Sequence, residues 1–374
     1  MSQPPPTSKR SAPQSVTNRG VTANGDGDPD LRGSVGILAN PRAGGDVRRL
    51  AARASSSTLE SKRNQVTRAA VGARAAGARR VVIVRDPMRV AVGALENLAL
   101  DLEVDVIDVG AEHDARDTER AAAAMREAGC GALVVLGGDG TNRILARAWP
   151  DAFVVPVSTG TNNVFPRMIE ATVAGAAAGL VASGRLGGAE VSRPAKQVRV
   201  RCADGREDMA LIDAGLFVDD IVGNLMPVEP AKIRQVFLAR AEPAAVGLSP
   251  IGGLLEPAGA DDDFGVLVTC TGHEEGGRPL LVPISPGLYR TVHVAHARRV
   301  GLGEPVSVFG PGILAFDGDR EIALEHGEEA ILRIERAGPN VISVEHALAL
   351  AAERGLYLDR GPFRDGHGIL PECC

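Results

Sequence analysis

The sequence predicts an α/β fold: a doubly wound parallel sheet followed by an antiparallel, β-rich domain. Three observations predict it. Short apolar runs alternate with Ala-rich helical stretches from Ser34 to Ser183. Those runs are continuously apolar, as strands covered on both faces are. After Gly184 the helical stretches thin out, and β-like runs punctuated by Gly, Pro and Asp take over.

The elements follow in order. Ser34–Ala39 (SVGILA) is a buried strand stopped by Asn40-Pro41. Leu59–Ala76 is helical, with Gly77 as its stop. Arg80–Val84 is a β-branched strand closed by Asp86-Pro87, and helical sequence runs on through Leu100. Glu103–Val109 is a strand, and Asp117 is the expected N-cap of a helix Thr118–Ala128. Ala132–Leu136 and Phe153–Val157 are strands, with helices Thr141–Ala148 and Val164–Ser183 after them. Beyond Gly184 the strand candidates are Gln197–Cys202, Met209–Leu216, Val266–Thr271, Thr291–Val294, Val306–Phe309, Ile313–Phe316 and Ala330–Ile334. Pro243–Asp263 reads as a mobile loop, and Val344–Arg354 as a closing helix that folds back on the first domain. The expected organisation is a disordered tail over 1–32, an α/β domain over 33–185, a β-rich domain over 186–342, and a C-terminal helix and tail over 343–374.

Composition narrows the function. The 374 residues carry a formal charge of −6, which argues against a nucleic-acid binder. No apolar run approaches the roughly 18–20 residues of a membrane span. The N-terminus has no apolar stretch of the signal-peptide kind. The five cysteines show no CxxC spacing, which fits a reducing, cytoplasmic setting. Cys373-Cys374 lack a lipidation motif and read as plain terminal thiols.

The residues with chemistry lie in three loops. Leu133 to Asn142 reads LVVLGGDGTN, an apolar strand that runs into glycines, a carboxylate and a hydroxyl opening a helix. Gly137, Gly138 and Gly140 let an anion approach the main chain without a Cβ in the way, and the helix N-terminus favours negative charge. Asp139 would repel a phosphate there unless a divalent cation sits between them or the carboxylate takes a proton from an attacking hydroxyl. Thr141 completes this loop. The second loop, Ser158-Thr159-Gly160-Thr161-Asn162-Asn163, is uncharged and again follows an apolar strand. Two such loops at the ends of successive strands point to a ligand at that edge of the sheet. Asn40, Pro41, Arg42, Ala43, Gly44 and Gly45 could add an amide and backbone N–H groups beside them. Other candidates read as structural. His293 and His296 would face opposite sides of a strand. His273 with Glu274-Glu275, the Asp261-Asp262-Asp263 run, and Arg199 with Arg201 read as solvated surface.

These loops resemble the superfamily of NAD kinases and diacylglycerol/sphingosine-type lipid kinases: NPxAG on the first strand, then GGDGT, then P-x-x-x-G-T-x-N. Within it the pattern is most similar to the ATP-NAD kinase-like branch that includes the acetoin-catabolism protein X. Leu314 to Asp319 is similar to the late DG segment of the superfamily. The resemblance implies a Rossmann-like domain before an all-β domain, ATP and Mg²⁺, and phosphoryl transfer to an alcohol. It implies Asp139 as the catalytic aspartate. It implies Asn40, Gly44, Gly137, Gly138, Gly140, Thr141, Thr159, Gly160, Thr161, Asn162, Asn163 and Asp317 as nucleotide-site residues. The acceptor stays open. Asn162-Asn163 lacks the acid of the NAD kinases' Asn-Glu pair, and Val164 and Asp319 depart from the lipid-kinase pattern. NAD⁺ is the default acceptor, with another small alcohol, a lipid, or a non-catalytic nucleotide-binding role as alternatives. A homo-oligomer is the expected assembly.

Overall fold

The computed structural model describes residues 33–43, 58–96, 98–110, 112, 114–160, 162–224, 226, 228–272 and 276–358. The expected tail over 1–32, Gly44, Thr161, His273 to Glu275 and Cys373-Cys374 lie outside the described residues.

Five parallel strands form the first half: β1 (Ser34–Ala39), β2 (Arg80–Val84), β3 (Glu103–Ile107), β4 (Ala132–Gly137) and β5 (Phe153–Ser158), in the spatial order β3-β2-β1-β4-β5. The central residues of β1, β2, β4 and β5 are buried on both faces, whereas the edge strand β3 is only partly covered. Val134 and Leu136 belong to one core cluster, and Leu133 and Val135 to another. The helices α1 (Leu59–Ala75), α2 (Val90–Leu95) and α5 (Ala171–Ala182) cover one face, with α8 (Val344–Glu353) packed on α5. The other face is covered by α3 (Ala115–Glu127) and α4 (Asp139–Ala148).

α1 and α5 pack unusually close because both carry small residues at the contact. A Cβ on Gly175 would lie 2.0 Å from the Ala69 carbonyl oxygen, and one on Gly72 would lie 1.9 Å from that of Thr172. Both clashes are with backbone, which cannot rotate away. Gly175→Ala is therefore expected to destabilise the fold by about 1–3 kcal/mol through overpacking. Denaturant unfolding midpoints would check it, and an unchanged midpoint would refute it.

The second half is not a separate block. β16 (Glu329–Ile342) pairs in parallel with β5 and antiparallel with β6 (Ser192–Cys202), and β7 (Glu207–Ala210) continues that edge. The first sheet thus runs on into the second half, and β13 (Val306–Phe309) adds to β16. A second, wholly antiparallel sheet has the order β11-β12-β10-β9-β8-β14-β15. Its strands are β8 (Asp213–Phe217), β9 (Ile233–Leu238), β10 (Phe264–Thr271), β11 (Arg278–Ser285), β12 (Leu288–Gly301), β14 (Gly312–Phe316) and β15 (Asp319–Leu324). Val198, Val200, Leu332 and Ile334 of the extended sheet pack on Leu216, Phe237, Leu314 and Phe316 of the second, closing a sandwich.

Several expectations need correction. Asp114, not Asp117, caps α3 by accepting from the Arg116 amide at 2.8 Å, and Asp117 sits in the first turn where a carboxylate suits the helix dipole. α2 ends at Leu95 rather than Leu100. Met209–Leu216 is two strands, since the chain changes sheets at Leu211-Ile212. Residues 164–170 are not helical. Pro166 disfavours helix before it, the segment pairs back onto β5 at Val157 and Arg167, and Glu170 caps α5. The expected mobile loop is packed: α7 (Ser249–Gly253) is buried against the second sheet. β9, β11 and β15 were not legible; Pro279 and Pro283 mark β11 as the edge strand that it is.

Candidate functional site

In the order β3-β2-β1-β4-β5 the chain leaves β1 and β4 toward opposite sides. Such a switch point opens a crevice at the carboxyl ends of those two strands. The Asn40 turn follows β1, the glycine-rich turn follows β4, and the Ser158 loop follows β5, so all three predicted loops meet there.

Hydrogen bonds tie them together. Asn40 Nδ2 donates to Thr141 Oγ1 at 2.9 Å, and Asn40 Oδ1 accepts from the amides of Arg42 and Ala43. The Lys62 ammonium, almost fully buried, donates to the Pro41 carbonyl at 2.5 Å and pins the same turn. Gly137 ends β4 beside Ser158 of β5, and Gly138 is the N-cap of α4. A Cβ at 138 would stand 2.9 Å from Asn163 Oδ1 and push that side chain from its place. Asn163 Nδ2 in turn donates to Ser158 Oγ at 2.7 Å, and Ser158 Oγ donates to the Gly160 carbonyl at 2.6 Å.

Asp139 opens α4, and its carboxylate turns toward the segment just after the Ser158–Asn163 loop. It accepts from the Phe165 amide at 2.8 Å and from the Val164 amide at 3.1 Å. The fold-back of residues 164–170 along β5 is what presents those two amides.

Asp317 comes from the tight turn between β14 and β15. With φ of 47° at Asp317 and 91° at Gly318, it is an Asp-Gly hairpin of the kind that tolerates left-handed backbone. Its carboxylate accepts from the amides of Leu211, Ile212 and Asp213 at 2.8, 2.8 and 3.2 Å, where the chain crosses between sheets. Asp213, buried, completes a group of three acids.

The electrostatics of this group are unusual. Burial, reinforced by the negative charge of Asp317, pushes Asp139 up to about 7, against the pull of the Phe165 and Val164 amides and of Arg240. Asp317 is raised by burial, opposed first by the Arg143 guanidinium. Asp213 is raised well above the carboxylate range by burial and by both neighbours. Like charges this close cannot all ionise in a dry site. Arg143, buried in α4 one turn after Asp139, offsets part of that charge. Its guanidinium donates to Asp208 at 2.7 Å, to the Met209 carbonyl at 2.8 Å and to Glu321 at 3.2 Å.

Some unsatisfied polar atoms belong to these same segments. Among the described residues, the buried side-chain atoms without a hydrogen-bond partner include Asn142 Oδ1, Thr159 Oγ1, Asn162 Oδ1 and Asp213 Oδ1. Such atoms are rare in folded proteins, and water, an ion or a ligand completes their bonding. Gly44 and Thr161 fall outside the described residues. The His293/His296 pair is in no cluster of close metal-ligating atoms among the described residues. Arg199 and Arg201 both pair with Glu207 on the surface, and Asp261 and Asp263 both pair with Arg193. Sequence reasoning missed Lys62, Arg143, Asp213 and Arg240. The available signal was a lone charge inside an apolar run, as in Leu211-Ile212-Asp213-Ala214.

Residues 35–186 match the ATP-NAD kinase N-terminal domain, and residues 196–337 match the acetoin catabolism protein X C-terminal domain. Among solved structures, yeast NADH kinase complexed with NADH has a TM-score of 0.48 at 14% identity, covering 88% of this chain and 89% of that one. An NAD kinase from Archaeoglobus fulgidus in complex with ATP has a TM-score of 0.36 at 16% identity, covering 75% and 99%. The acetoin catabolism protein X of Cupriavidus necator is 36% identical over 312 residues, which span 80% of this chain and 87% of that protein. The chain therefore belongs to the acetoin catabolism protein X family.

Proposed function

We propose that the protein is an ATP-dependent kinase that transfers a phosphoryl group to the hydroxyl of a small molecule, with NAD⁺ as the default acceptor. The observation that carries this reading is Asp139. It is a carboxylate poised near neutrality, held by two backbone amides at the mouth of a glycine-rich helix N-terminus.

Phosphoryl transfer needs positioning and charge neutralisation more than covalent help. The amides of Gly138, Gly140 and the first turn of α4 suit phosphate oxygens. Thr159, Gly160, Asn162 and Asn163 form the facing wall, where Thr159 Oγ1 and Asn162 Oδ1 offer unused bonding capacity. Asn40, Thr141 and Asp317 spend their polar atoms inside the fold and act by holding the loops. Asp139 accepts the proton of the attacking hydroxyl. Magnesium fits the donor set: Asp213 Oδ1 is a hard oxygen without a partner among three crowded acids. Bound there through Asp213 and the nucleotide phosphates, the ion would neutralise charge on the transferring group.

The test is ADP formation from ATP with NAD⁺ and with a panel of small alcohols. Acceptor-dependent ADP is the expected result. Binding of ATP with no turnover on any acceptor would replace this reading with that of a non-catalytic nucleotide binder.

The base must be ionised to work, so its raised pKa sets the pH dependence. kcat/KM is expected to climb as pH rises from about 6 to about 8, with a midpoint near 7. A pH–rate profile with no such limb would argue against Asp139 as the base.

A further inference from the structure

A cavity of about 330 Å³ lies apart from the phosphate loops, between the returning segment 165–169, the start of β6, the end of β16 and the N-terminus of α8. One side is apolar, formed by Phe165, Ile169 and Val341. The other carries Lys196, Arg240 and Arg167. The volume is at the small end of ligand pockets, which run roughly 300–1,000 Å³.

Two cations here are buried. Lys196 is 2% exposed and Arg240 5% exposed, so both are built into the wall. Lys196 Nζ donates to the Phe264 carbonyl at 2.6 Å, which leaves two ammonium protons, and no ion pair to it occurs among the described residues. The Arg167 side chain likewise has no ion pair among the described residues. The acids at the cavity are mostly committed elsewhere: Glu190 pairs with Arg354 and Asp261 with Arg193. Arg336 pairs with Asp263, and Arg240 with Glu242. Glu345 and His346 stand exposed at the rim. A buried ammonium beside two guanidinium groups is costly unless an anion joins it. Burial and the positive charges of Arg336 and Arg240 pull Lys196 down to about 8, a pull that Asp262 and Asp263 oppose only in part.

We propose that this cavity is a binding site for a small organic acid, its carboxylate on Lys196 and Arg240 and its short hydrocarbon body against Phe165, Ile169 and Val341. An inorganic anion would satisfy the cations but leave the apolar side unused. The site stands independently of phosphoryl transfer. It touches the catalytic centre, however: the Phe165 ring lines the cavity while its amide donates to Asp139, and Arg240 lies 6.0 Å from that ring. The occupant is therefore placed to be sensed by the acid at Asp139.

Calorimetric titration of the full chain with isovalerate, its uncharged analogue isovaleramide, and inorganic phosphate tests this. Isovalerate is expected to saturate one site, and the amide to bind at least about tenfold more weakly. Lys196→Met is expected to weaken isovalerate binding roughly 10- to 100-fold, the value of one lost charge-assisted hydrogen bond. Arg167→Gln, an exposed change that the core does not feel, is expected to weaken it severalfold. Absence of isovalerate binding, equal binding of the amide, or phosphate binding tighter than isovalerate would each overturn the proposal. Should Lys196→Met fail to fold, Arg167→Gln and the acid–amide comparison decide the question.

Discussion

Replacing Asp139 by asparagine is expected to lower acceptor-dependent ADP formation by roughly 10²–10⁴-fold, the usual contribution of a general base. Asparagine keeps the shape, and its carbonyl oxygen can still accept from the Phe165 amide, so the loop stays in place. What is lost is proton affinity. Stability should respond in the opposite sense. A carboxylate whose folded pKa is raised from 3.8 to about 7 opposes folding once it ionises. Its folded form is most favoured below the unfolded value, and that advantage disappears as pH rises through about 7. The asparagine variant should therefore unfold no more easily than the native chain at pH 8, whereas at pH 4 the native carboxyl is neutral and the comparison turns against the variant. Full activity of Asp139→Asn would remove the kinase reading.

Replacing Arg143 by methionine should have the largest effect on stability, a loss of about 3–5 kcal/mol. The guanidinium is 3% exposed, and its partner Asp208 is 10% exposed. It reaches from α4 to β7 through the Asp208 carboxylate and the Met209 carbonyl, to β15 through Glu321, and stacks 5.3 Å from the Phe316 ring. One side chain thus joins the phosphate-loop helix to both sheets. Methionine fills the volume but leaves the mostly buried Asp208 carboxylate with only the half-exposed Arg147, 3.9 Å away, as a cation. Changing Asp208 to leucine in the same chain should restore part of the loss, because the under-compensated charge goes with it. One of the three buried acids responds as well. Without Arg143, Asp317 loses its main positive neighbour, so its pKa rises further. A loss below about 1 kcal/mol in guanidinium chloride unfolding would show that this residue does not join the halves.

Much of the first half was legible because its signals are contiguous. A parallel strand buried on both faces must be an unbroken apolar run, and Ser34–Ala39, Arg80–Val84 and Ala132–Gly137 are such runs. The glycine loop was legible for the same reason: the strand, the three glycines and the helix start lie within ten residues. The second half was read less well. An antiparallel strand with one face on a neighbouring sheet carries a weaker pattern, and β9 and β15 were overlooked. Pro166 hid the fold-back of 164–170, where an apolar stretch that looked helical is held along β5 by two backbone bonds to Pro156 and Ser158.

By itself the chain's order of residues determined the parallel sheet, the three loops at its edge, and Asp139 as the acid among them. Each of these is local chemistry, set by which side chains and glycines follow one another. Only the tertiary structure decided that Asp213 and Asp317 approach Asp139, that Arg143 bridges the sheets, and that Lys196 and Arg240 share a cavity beside Phe165. Desolvation and charge coupling depend on distance in space, and those residues meet only after long-range strand pairing carries β16 from the far end of the chain to lie between β5 and β6.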